Sequence, residues 1–168
     1  MATELYDISV PAFLRGFAAL AAFLEKARAW ADENGVPHAD MLTARIYEDM
    51  APLSSQIQRV SDGAKLAVAR LAQVDAPAMA DTETSFDELQ ARIAATVAFI
   101  ESVPREKIDG REGAEIVLKL PKTELKFTGS SYIASFALPN FYFHLTTAYA
   151  ILRMKGVPVG KRDYLGAI

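Results

Sequence analysis

The sequence predicts an all-α fold, an antiparallel four-helix bundle with a small β-hairpin before the last helix. Three observations predict it. Four segments carry apolar residues at helical spacing, capping and break residues separate them, and one short stretch near residue 120 switches to the period of a strand. The 168 residues suit a single domain, 1–168, and 51% hydrophobic against 23% charged residues is enough to bury a sizeable core.

Taken in order, Ser9 can cap a helix with Pro11 in its first turn, where a missing N–H is harmless. Phe13, Phe17, Leu20, Leu24 and Ala27 then recur at helical spacing, and the helix ends near Gly35. A second stripe, Gly16, Ala19, Phe23 and Trp30, fits either a subunit interface, which large aromatics outside the main stripe favour, or a helix buried on two faces. Residues 39–47 form a short helical piece. Asp49 is placed to cap the second long helix, with Pro52 in its first turn and Met50, Leu53, Ile57, Val60, Ala64, Ala67 and Leu71 as its core stripe. Gln56 lies at the edge of that stripe, able to face solvent or the interior.

Beyond the loop 74–84, Ser85 and Glu88 make a capping box ahead of Phe86, Leu89, Ile93, Val97 and Ile100 on one face. The third helix stops before Pro104, and residues 104–113 read as an exposed charged loop. Within 115–128, two apolar runs flank Pro121, Lys122 and Thr123 and predict a hairpin, which should lie against the helices because a lone hairpin is marginal in water. A helical run from Gly129 meets Pro139, where a bend should restart the last helix as 140–155; Gly156 suits its C′ position and Pro158 prevents continuation. Residues 157–168 read as a tail packed over one end of the bundle.

The last helix is apolar on nearly every side, as a central helix is, yet it carries Asn140, His144 and Thr147 on one face. Buried polar groups cost free energy unless paired, so this triplet is either a satisfied network or a site. With Gln56 it makes a candidate ligand pocket, and His144 is the best candidate for a catalytic base or a metal ligand.

Composition removes several alternatives. With no cysteine there is no disulfide, no thiolate nucleophile and no Cys-ligated metal, which suits the cytoplasm. A net charge of -3 without a basic run argues against nucleic acid as a partner. The opening residues do not read as a signal peptide, and no segment reads as a membrane span, the nearest being 127–152. There is no glycine-rich phosphate loop, no HExxH and no nucleophile elbow, and His38 reads as an exposed loop residue.

The stretches LYDISVPAFLRG, DMAPLSSQIQ, DTETSFDELQARI and ALPNFYFHLTTAYAILR, followed by GVP and GKRD, resemble in order a family of uncharacterised bacterial proteins, the domain of unknown function 1993. Through it the chain is similar to the wider DinB/YfiT-like group of metalloenzymes, the likeness being closest over 124–165. That resemblance implies an antiparallel four-helix bundle, commonly a homodimer, with a divalent metal held by three histidines, one from the second helix and two a turn apart in the last. Zinc or nickel is the cofactor it implies. Here the last-helix pair falls on Asn140 and His144, and the second-helix ligand falls near Gln56 or Arg59, so one imidazole of three is kept.

Three functions follow as expectations. The first is a small-molecule ligand pocket, or a simple satisfied core histidine, built on His144, Asn140, Thr147 and Gln56. The second is a metal-dependent, thiol-linked transferase or isomerase, with His144 as ligand or base, Asn140 and Gln56 orienting, and Asp49 as a nearby carboxylate. The third is an interaction protein whose dimer face is built on Phe23 and Trp30.

Overall fold

The first helix begins before Ser9, and the reason lies about a hundred residues away in sequence. In the computed structural model, which describes residues 4–166, α1 spans Leu5–Asn34. Its first turn is capped by the rest of the fold: Tyr6 N–H donates to Asp109 Oδ1 at 3.0 Å, and Arg105 pairs with Asp7. Ser9 is therefore no cap but an internal residue, its hydroxyl donating to the Leu5 carbonyl at 2.6 Å, and Pro11 lies inside the helix. The 104–113 segment that supplies Asp109 and Arg105 is thus a fastening rather than a free loop, with a short 3-10 turn at Arg105–Lys107 and Ile108 fully buried.

The next elements are α2 (His38–Leu42), α3 (Leu53–Ala72) and α4 (Phe86–Ser102). α2 is shorter than expected, and His38 opens it, paired with Asp32 at 2.7 Å. Pro52, not Asp49, stands at the N-cap of α3, because Leu53 N–H is already satisfied by the Ala44 carbonyl at 2.9 Å. Leu53, Ile57, Val60, Ala64, Ala67 and Leu71 are all fully buried along one face, as their spacing requires, while Met50 falls outside the helix. α4 starts with the expected reciprocal box: Glu88 N–H donates to Ser85 Oγ and Ser85 N–H to the Glu88 carboxylate.

Strands β1 (Glu115–Leu120) and β2 (Thr123–Thr128) pair antiparallel from Glu115 with Thr128 to Leu120 with Thr123, so Pro121 and Lys122 alone make the turn. Then come α5 (Gly129–Tyr132), a π-helical turn (Ile133–Ala137), α6 (Leu138–Met154) and α7 (Lys161–Leu165). The break expected at Pro139 takes this π form: the backbone stays helical at Tyr132 and Leu138 while the five-residue turn absorbs the lost hydrogen bond. Gly156, at φ 97°, turns the chain out of α6 in a conformation that side chains resist. Val157 and Val159 are buried, and α7 packs along α1 and α6 rather than over one end, with Lys26 paired to Asp163 and Thr146 to the Tyr164 hydroxyl; residues 167–168 of the expected tail and 1–3 of the opening lie outside the described residues.

The molecule is mostly helical with one small antiparallel sheet. α1 and α3 each pack against both α4 and α6, closing a ring of long helices around one contiguous hydrophobic core. The second stripe of α1 belongs to that packing: Gly16, Ala19 and Phe23 are buried, Phe23 against Tyr149 and Tyr164, and Trp30 covers Gly156. Of the two residues of the expected subunit face, Phe23 is thus buried within the chain and Trp30 is half-buried. Burial on two faces also makes α1, not 127–152, the segment nearest in composition to a membrane span; its most apolar 18-residue window has mean hydropathy 1.5, and half of that window is buried inside the fold.

Candidate functional site

The polar residues of α6 do meet a partner, and it comes from α3. Gln56 is 2% exposed and His144 9% exposed, and His144 Nδ1 lies 2.7 Å from Gln56 Oε1. Gln56 Nε2 donates to the Ala51 carbonyl at 2.9 Å, which leaves Oε1 as the acceptor and makes Nδ1 the protonated nitrogen of His144. The inward of the two orientations open to Gln56 is thus the one adopted. Burial, with the Arg59 guanidinium second, holds the imidazole below its usual pKa, so the neutral ring is the resident form at neutral pH.

His144 lines an open pocket of about 270 Å³ between α3, α6, the π turn and the hairpin. Gln56 is not among the lining residues, so the ring holds Gln56 behind it and offers its Nε2 side to the cavity. Asn140 lines the same space beside Gly63, where a Cβ would come within 3.1 Å of its Nδ2. Leu118 and Leu120 of β1, with Phe136 and Tyr132, form an apolar wall; the Tyr132 and Phe136 rings stack at 5.9 Å. The hairpin therefore does more than embellish the helices.

Thr147 is not brought to this cavity. Seven residues beyond Asn140, it is displaced by about 10 Å along the helix axis. Its hydroxyl donates to the Phe143 carbonyl at 2.7 Å, and it lines a separate groove with Ile46, Tyr142 and Phe143. Asp49 is exposed and also lies outside the lining.

Three charged groups reach the cavity that composition and spacing did not single out as a set: Arg59, Asp62 and Arg70. Asp62 is held by Lys65 at 2.9 Å and by the buried Arg92 at 3.0 Å. Arg70 donates to the Tyr132 hydroxyl at 2.8 Å. Arg59 makes no ion pair or hydrogen bond with any described residue. A signal existed in the sequence: Arg59, Gly63 and Arg70 follow one another on a face of α3 beside its core stripe, and a glycine inside a helix, which costs about 1 kcal/mol against alanine, marks a place kept open.

The chain resembles known sequences along its whole length. The family model described as domain of unknown function DUF1993 matches residues 5–165. The chain belongs to the DUF1993 family. Among solved structures it is similar to a DinB family member protein from Shewanella denitrificans, 38% identical over 98% of this chain and 93% of that one, with a TM-score of 0.89. No curated protein matches.

For this DUF1993 chain, the donor set can be tested against the metal that the wider resemblance implies. Among the described residues no three His, Cys, Asp or Glu side chains gather at one point. Around His144 stand two neutral amides, the Arg59 guanidinium and one carboxylate, Asp62, which Lys65 and Arg92 already hold, and the cation of Arg59 acts on the ring. These residues do not fit a zinc or nickel ion, which requires several imidazole, thiolate or carboxylate donors.

Proposed function

We propose that this protein is a small-molecule binding bundle in which the pocket between α3, α6 and the hairpin holds a ligand against His144. The architecture we infer is the antiparallel four-helix bundle of the DinB type, α1, α3, α4 and α6 forming a single domain over 1–168. The observation that carries the reading is the Gln56 to His144 hydrogen bond. It fixes a neutral imidazole with an acceptor nitrogen toward a space that has an apolar wall and polar groups at one end, the make-up of a ligand pocket. The π turn just before α6 supports it, since such turns gather at functional sites. A fragment screen read by NMR on the His144 imidazole, with Gly63→Val to fill the cavity, tests it. Fragments that shift His144 in the native protein and not in Gly63→Val support the reading; no fragment reaching His144 rejects it.

One feature favours a second reading, the metal-dependent transferase or isomerase of the wider group. A histidine that donates Nδ1–H to an oxygen and keeps Nε2 free is oriented as metal-ligating histidines are. Elemental analysis of the untagged protein and of His144→Ala, after supply of zinc, nickel and manganese, decides between them. Near-stoichiometric metal lost in the variant puts the enzyme ahead; none in either leaves the ligand pocket.

A further inference from the structure

We infer that the pocket takes a small monocarboxylate with a flat apolar body, its carboxylate held by Arg59 beside Asn140 and His144 and its body against Phe136 and the leucines of β1. This rests on the pocket reading above and names the ligand class. The charge balance points to an anion. The lining carries two guanidiniums and one carboxylate, and that carboxylate, Asp62, is already shared by Lys65 and Arg92. Arg59 is left without a counter-charge among the described residues, and a guanidinium matches a carboxylate through two parallel hydrogen bonds. Asn140, adjoining, has an amide N–H₂ to add.

The size and the wall set the rest of the ligand. At about 270 Å³ the space is at the small end of ligand pockets. Phe136, half-buried and backed by the fully buried Tyr132 at an interplanar angle of 16°, offers with the leucines of β1 a face suited to a ring. Arg70, at this end, is engaged with the Tyr132 hydroxyl and so fixes the wall.

An anion on Arg59 also changes the balance at His144. The polar groups around the ring and its cavity are Gln56, Arg59, Asp62 and Arg70 from α3, Asn140 from its own helix and the Tyr132 hydroxyl from α5, while the hairpin and the π turn present only apolar side chains. Cancelling the Arg59 charge and placing a carboxylate by Nε2 both favour the imidazolium, so binding takes up a proton and tightens as pH falls.

The test is titration of the full chain with benzoate, benzamide and inorganic phosphate, followed on the imidazole nitrogens; with two histidines, a His38→Asn variant assigns His144. Benzoate should shift His144 saturably, bind more tightly at about pH 6 than at about pH 7.5, and lose about tenfold or more in affinity in Arg59→Gln. Arg59→Lys should recover part of that loss. Benzamide binding as well as benzoate, or Arg59→Gln binding unchanged, overturns the anion while leaving the pocket in place. Phosphate binding as well as benzoate overturns the apolar body. If none of the three moves His144, the carboxylate is overturned, and the fragment screen shows separately whether the pocket falls with it.

Discussion

His144 shows how a single side chain can be read from its surroundings. Its folded pKa lies below the ordinary value of 6.5, first because it is buried and second because Arg59 is near. Between the folded value and 6.5 the unfolded chain therefore binds more protons. Its contribution to stability is complete above 6.5 and is lost as pH falls through the folded value. The difference in melting temperature between the native protein and His144→Gln should change across that window and level off above it, as differential scanning calorimetry at several pH values would show. Gly16 teaches a different lesson. A Cβ there would lie 2.5 Å from the Phe141 ring, which is itself fixed edge-on by Phe13 at 5.0 Å and Phe17 at 5.5 Å. With nowhere for the ring to go, Gly16→Ala should cost about 1–3 kcal/mol in urea denaturation although it adds one methyl group.

At the scale of elements, α4 is held to α3 by a buried charge as well as by its stripe. Arg92 sits on the stripe face, where composition alone would place an apolar residue, and is buried with Asp62 at 3.0 Å, Glu83 at 2.9 Å and Asp81 at 2.9 Å. It also donates to the Ala80 carbonyl at 3.1 Å, and so pins the loop between α3 and α4. For Glu83, burial works to raise the pKa, but hydrogen bonds from Arg92 and Gln58 outweigh it and hold the carboxylate ionised. Removing Arg92 leaves Glu83, whose side chain is 11% exposed, without its counter-charge while Asp62 and Asp81 stay partly solvated, so Arg92→Met should lose about 2–3 kcal/mol by the same denaturation measurement. Because Asp62 also lines the ligand cavity, that variant should disturb the His144 resonances as well.

At the scale of the whole molecule, the 104–113 segment fastens the start of α1 through Asp109 and Arg105, across a sequence separation of 103 residues for the Tyr6 bond. Asp109→Ala should speed hydrogen exchange of the Tyr6 amide markedly while leaving the middle of α1 protected, a contrast readable by exchange mass spectrometry. The same scale separates what was legible from what was not. The helix stripes of α1, α3 and α4, the Ser85 box, the hairpin and the Gly156 exit stand in the sequence because each depends on residues within a few positions of one another. So does the pair Asn140 and His144, one turn apart. Tertiary structure alone decided the rest, since each case turns on a partner distant in the chain: Asp109 in place of Ser9 at the start of α1, Ala44 in place of Asp49 before α3, α7 over Phe23, and the absence of Thr147 from the pocket. Gln56 turned inward because the buried imidazole needed an acceptor, and Arg59 became part of a site because α3 set it opposite a histidine 85 positions further on. Local spacing tells which face a side chain is on; only packing tells what stands across from it.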